Sequence, residues 1–260
     1  MVVSGSELGR AYGGRRAVGA NVGPILWYFK MAGAALERWS WEERGAPRVE
    51  LLQSVRKPRS SEHNRHIRVT AYCTTNGDHV LLESGLEHDL MRRLDREPAV
   101  VRIISQPFKL SWRGRGPNEH TPDLLTLCSD GSVSVWDARS PEDQDERFLR
   151  AATITREACS AVGWRHEVFS GLGQVERLNL QWLNGFRRTP GQLGTFSRPV
   201  MAAAEQPGAQ LGDLLSLDAG TGELTGVVWH LVWTGELTVD MCASLTPQTP
   251  ISVNGAVDVG

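Results

Sequence analysis

Read by the spacing of its apolar positions, the chain divides into short alternating runs, two amphipathic helical stretches and a helix-rich tail. The most informative stretch runs from His120 to Arg139. Leu124-Leu125-Thr126-Leu127 and Ser132-Val133-Ser134-Val135-Trp136 are apolar runs joined through Ser129-Asp130-Gly131, a hairpin turn signal. A hairpin centred on Asp130 sets Leu127 against Val133 and Leu125 against Val135, and it brings Asp123 opposite Asp137 with Cβ atoms roughly 5 Å apart. A loop of even length would instead put the two acids on opposite faces. Facing carboxylates repel. A fold tolerates them when positive charge sits between, and for hard oxygen ligands the usual candidate is a divalent cation.

Upstream, Ile67 to Cys73 and His79 to Leu82 look extended, with Asn76-Gly77 as the turn between them. Ser84-Gly85-Leu86-Glu87 has capping-box spacing and opens a helix. Leu86, Leu90, Met91 and Leu94 share one arc of that helix, while His88, Asp89, Arg92, Arg93, Asp95 and Arg96 fill the other side. Glu87 falls inside the apolar arc. Either the capping box turns it back to the Ser84 N–H, or it is an inward carboxylate that needs a partner. Past Pro98, Val100 to Ile104 and Gln106 to Trp112 predict two strands. Glu142 to Val162 carries Phe148, Ala152, Thr155, Cys159 and Val162 at helical spacing and stops at Gly163, and Trp164 to Phe169 predicts one more strand. This order calls for an α/β fold, a mixed sheet with helices against it.

Beyond Gly171 the pattern turns helical. Val175 to Phe186 predicts a helix, Arg187-Arg188-Thr189-Pro190 through Pro207 a linker, and Leu211 to Leu217 and Val227 to Trp233 short helices, with a turn over Thr234 to Thr238. Residues 173–260 are therefore expected to form a small helical module, helix-turn-helix in kind. Residues 31–172 are the expected catalytic-type domain. Residues 1–30, rich in Gly and Arg without sustained period, are expected to be disordered, with Met31 as an alternative start.

Composition changes this picture only at the margins. A chain of 260 residues with 40% hydrophobic and 22% charged positions is long enough for one large or two small cores. The net charge of −2 conceals a gradient: residues 1–70 hold twelve Lys/Arg against six Asp/Glu, whereas 190–260 hold only Arg198 against seven acids. One end thus suits an anionic partner, and the acidic tail suits a protein rather than DNA. Cys73, Cys128, Cys159 and Cys242 have no metal-ligand spacing and read as reduced packing residues. No apolar run reaches membrane-span length, so a soluble, cytoplasmic protein without membrane partners is expected. Ser129 to Asp137 looks like the end of a WD40 blade, but it occurs once, and a propeller needs repeats.

The chemistry rests on Glu87, Asp123 and Asp137, which converge if the helix and the hairpin share a face. Arg139, two residues past Asp137, falls on the same face by alternation. Carboxylates that hold Mg²⁺ beside a fixed cation suit phosphodiester hydrolysis. Arg139 stays protonated and is confined to an electrostatic role. The plainer alternative is a solvated Asp137/Arg139 pair at a strand end. His120, next to Thr121-Pro122-Asp123, reads as a loop hydrogen-bonder and Gln106 as a strand-end cap.

Taken together, Ser84-Gly85-Leu86-Glu87, Gln106-Pro107-Phe108, His120-Thr121-Pro122-Asp123, Asp130-Gly131, Val135-Trp136-Asp137-Ala138-Arg139 and Ala161-Val162-Gly163-Trp164 resemble the TnsA-like endonuclease subunit of bacterial heteromeric transposases. That family lies within the PD-(D/E)xK nuclease superfamily. The likeness extends from about Met31 to the Trp233-Thr234-Gly235-Glu236-Leu237 stretch. It implies a restriction-endonuclease-like fold and a Mg²⁺-dependent DNA endonuclease, with Mn²⁺ as substitute, that cuts one strand of double-stranded DNA at transposon ends. It also implies an integrase-type transposase as partner, with an ATPase regulator as a further candidate. Glu87, Asp123 and Asp137 stand at the metal-ligand positions, and Arg139 stands where the superfamily motif has Lys. A catalytically silent adaptor of the same fold and a stand-alone restriction- or repair-type nuclease are the rival expectations.

Overall fold

The computed structural model describes residues 24–55, 69–114 and 118–254. The expected basic loop Lys57–Ser61 and the first residues of the strand expected from Ile67 lie outside this set. The described chain opens on β1 (Leu26–Met31), which turns back into β2 (Leu36–Trp39), and continues through the short helix α1 (Trp41–Arg44) to β3 (Leu52–Gln53). β1 corrects the expectation of disorder through residue 30. Its inward positions Trp27 and Phe29 are fully buried, and Trp27 stacks on Trp41 with ring centroids 4.0 Å apart. A single short strand gives little periodicity to read, and the Gly/Arg-rich residues before it obscured its start.

Next come the hairpin β4 (Val69–Cys73) and β5 (Asp78–Leu82), helix α2 (Gly85–Asp95), and β6 (Val100–Ser105), β7 (Phe108–Ser111), β8 (Glu119–His120), β9 (Leu124–Cys128) and β10 (Val133–Ala138). Gly77 takes φ +63° in the β4–β5 turn, where glycine carries no Cβ penalty. Helix α3 (Glu146–Ala161) starts where Asp145 accepts the Phe148 N–H, and β11 (Arg165–Phe169) follows it.

Mixed α/β architecture results. One sheet runs β11-β10-β9-β6, with β11 parallel to β10 and the other pairs antiparallel; a second runs β2-β1-β7-β8, with β3 also on β1. Alternation along β10 divides the layers. Val133 and Val135 pack with Ile154 and Ala158 of α3 and with the Trp27/Trp41 cluster, whereas Trp136 and Ala138 lie on the side of Leu90 and Met91 of α2. The four-stranded sheet is therefore covered by α3 and the second sheet on one face and by α2 and the β4–β5 hairpin on the other.

The rest of the described chain is α4 (Gln174–Leu183), α5 (Leu193–Ala204), α6 (Leu211–Leu215) and α7 (Glu223–Thr234), closed by β12 (Leu237–Thr238) paired with β13 (Ser252–Val253). Helix α5 replaces the linker expected from Arg187 through Pro207. Pro199 lies inside it and deprives the Thr195 carbonyl of its helical donor, yet Val200 and Ala204 are buried with Leu214 and Val227, and that burial outweighs the break. Helix α7 is longer than expected and is buried almost continuously from Val227 to Trp233, so it shows little amphipathic contrast.

Helix α2 links the two halves. Arg96, just past its end, donates to the carbonyls of Val232 at 2.9 Å and Trp233 at 3.4 Å, capping the last turn of α7. The polar arc of α2 is correspondingly less exposed than its sequence implies. Asp89 is buried between Arg92 (2.9 Å) and Arg177 of α4 (2.7 Å), and buried Asp95 collects the N–H groups of Thr74 and Thr75 and the Cys73 thiol. Burial, with Asp95 beside it, pushes that thiol up to about 12. Arg96→Ala is expected to lower stability by about 1–3 kcal/mol, because it deletes a charged donor from partly buried carbonyls. Urea unfolding monitored by tryptophan fluorescence would measure the loss, and no shift in midpoint would refute the link.

Candidate active site

The site is built where the start of α2 meets the ends of β9 and β10. Ser84 caps α2 by accepting the Glu87 N–H at 3.1 Å, and the Glu87 carboxylate accepts the N–H of Glu83 at 2.9 Å. The return bond thus goes one residue further back than the Ser84 N–H of the expected capping box. Glu87 is also buried, so it is at once a cap and an inward carboxylate. The cap fixes its rotamer.

The hairpin register is the one its alternation predicted: Val133 pairs with Leu127, Val135 with Leu125 and Trp136 with Leu124. At Asp123 the ladder changes. Its N–H reaches the Trp136 carbonyl (3.0 Å), its carbonyl accepts from Gln106 N–H (2.7 Å), and its carboxylate takes the Ala138 N–H (2.8 Å). The side chain thus occupies a backbone acceptor's place at the strand end, while the backbone is tied to β10 and to Gln106 between β6 and β7. Burial drives the Asp123 carboxyl well above the usual carboxylate range, and the negative charges of Glu87, then Asp137, then Glu83 add to the shift. Asp123 is the point where the acids meet. Glu87 approaches from the α2 side of the sheet, while Asp137 shares the α3 face with Val133 and Val135.

Asp137 is buried and already partnered. His120 Nε2 donates to both of its oxygens at 2.9 and 3.0 Å, and His166 Nε2 donates to one at 2.8 Å. Burial alone would raise this carboxyl, but the two imidazole hydrogen bonds and their charges outweigh it and hold it down at about 2. His120 comes from β8 and so is a component of the site rather than a loop residue. His166, fully buried on β11 beside Val135, was not anticipated. Its only signal was a polar residue in the inward slot of an alternating strand.

Arg139 does lie toward the α3 side. Its guanidinium sits over the Phe148 ring at 5.5 Å and its Nε donates to the Asp143 carbonyl at 2.9 Å, leaving the residue exposed and paired with neither Asp123 nor Asp137. Gln106 lines the site through its backbone. It is buried in the left-handed region at φ +44°, a strained conformation for a non-glycine residue, and its amide oxygen has no hydrogen-bond partner.

Glu87 and Asp123 suit a hard divalent cation. Both are oxygen donors, and the upward push that burial and then the Glu87 charge exert on the Asp123 carboxyl would be opposed by positive charge between them. Mg²⁺ commonly needs only one or two carboxylates, the remaining positions going to water and substrate phosphate. Asp137 suits it less, since a cation there would have to displace a histidine. No protein-family model matches this chain, and no curated protein matches it significantly. Among the described residues, no helix is long and apolar enough to cross a membrane.

Proposed function

We propose that this chain is a metal-dependent DNA endonuclease subunit with a restriction-endonuclease-like core, of the kind its motifs resemble in heteromeric transposases. The observation that carries this reading is the meeting of Glu87 and Asp123, two buried carboxylates from different elements, where burial and then the charge of Glu87 raise the Asp123 carboxyl. When bound, Mg²⁺ supplies an activated water and neutralises charge developing on the phosphodiester.

The chain's own residues set the geometry. Ser84 locks Glu87, the Ala138 N–H orients Asp123, and the His120–Asp137–His166 set keeps the end of β10 rigid beneath them. Arg139, exposed one residue after Ala138 with its Nε held by the Asp143 carbonyl, is a cation at this end of β10 whose terminal N–H groups suit a scissile phosphate. It stabilises charge and does not take a proton.

The test is relaxation of supercoiled plasmid by the full chain, with and without a cognate integrase-type transposase, in Mg²⁺ or Mn²⁺. Arg139→Ala is expected to slow cleavage about tenfold or more, with Lys restoring part of the rate. Stability should change little, because the residue is exposed. The competing reading, a silent adaptor, draws on the engagement of both Asp137 oxygens by histidines. It is favoured if neither metal yields cleavage in any combination with the transposase.

A further inference from the structure

A second constellation lies on the opposite flank of α2 from the β-sheet. Arg92 and Arg177 share the single carboxylate of Asp89, and among the described residues no other carboxylate pairs with any of Arg92, Arg177, Arg187 and Arg188. Arg187 and Arg188, just past the turn Asn184–Phe186, place their guanidinium groups over the Tyr72 ring of β4 at 5.9 and 5.5 Å. Tyr72 is met edge-on by His79, itself beside Asp78. The Nε–H groups of Arg92 and Arg187 are buried without acceptors, although Arg187 also donates to the Asn184 carbonyl. Burial draws the Arg92 guanidinium below its ordinary range; Asp89 opposes the shift, and the neighbouring charges of Arg177 and Arg187 add to it. Two cations on one carboxylate, with two more beside them over the Tyr72 ring, leave this corner with a standing excess of positive charge.

We propose that Arg92, Arg177, Arg187 and Arg188, with Tyr72, form a binding surface for the phosphate backbone of nucleic acid. Guanidinium forks match phosphate oxygens bidentately and remain charged when partly desolvated, and an aromatic face beneath them holds the forks in place. The arginine corner faces away from the inward Glu87 and does not rest on the nuclease reading. The acidic balance after residue 190 does not reach these residues, which precede it.

The experiment is fluorescence anisotropy of a labelled duplex with the full chain in EDTA, repeated over a salt series. Arg188→Ala, an exposed change, is expected to lower the slope of log K against log salt by about one. The double variant Arg187→Ala/Arg188→Ala should lower it by about two and weaken binding tenfold or more at moderate salt. Unchanged affinity and slope in both variants would overturn the proposal. So would displacement of the duplex by polyglutamate as readily as by unlabelled duplex, which would point to an acidic protein instead. The two readings fail separately. Loss of binding in the variants with no cleavage by wild type removes the nuclease and keeps the surface, whereas cleavage by wild type with unaltered variants does the reverse.

Discussion

Asp137→Ala is expected to lower stability at neutral pH by about 3 kcal/mol or more, since it strands two buried imidazole N–H groups around a missing charge. The wild-type pH dependence follows from the same group. A carboxyl near 3.8 when unfolded and held at about 2 when folded contributes about 2 kcal/mol. The sign is that of a depressed acid: the contribution is complete above about pH 4 and disappears as pH falls through about 2. Urea unfolding of wild type and Asp137→Asn from pH 7 to pH 2 should therefore give curves that converge at the acid end. Parallel curves across that range would mean that the histidines do not hold the charge. His166→Leu separates geometry from charge, because it removes one donor while leaving the acid bonded to His120.

What was readable from local pattern, and what was not, divides along physical lines. The β9–β10 register was legible because a turn residue and strict alternation specify it within twenty residues. Glu87 was legible because capping spacing is local. His166 was not. Its contact with Asp137 depends on β11 docking parallel to β10 after the whole of α3, a pairing that no nearby residue encodes. The same holds for Asp89 and Asp95, whose burial is compensated by Arg177 and by the Thr74–Thr75 backbone on other elements. The stretch from Arg187 through Pro207 misled for the opposite reason, since the local preference of its prolines was real and tertiary burial of α5 overrode it. By sequence the departure from the motif is Arg139, whereas in the fold the position already committed is Asp137, whose oxygens are taken by His120 and His166.

Asp123 carries the second large expectation, and it has two signs. Its folded-state carboxyl is raised, so it favours the fold at low pH; above about pH 4 the unfolded chain ionises while the folded acid resists, and stability falls until pH passes the raised value. Asp123→Asn keeps an oxygen for the Ala138 N–H and deletes the charge facing Glu87 and Asp137. The variant should therefore be more stable than wild type at neutral pH in EDTA, yet cleave DNA roughly 10³-fold more slowly. Divalent cation should reverse the stability order. If Mg²⁺ is held by Glu87 and Asp123, it should raise the melting temperature of wild type by mass action, EDTA should reverse the rise, and the Asn variant should respond to neither. A protein whose melting temperature ignores Mg²⁺ in both forms, and whose Asn variant is no more stable than wild type, would show that the two acids are not the electrostatically strained pair on which the catalytic reading depends.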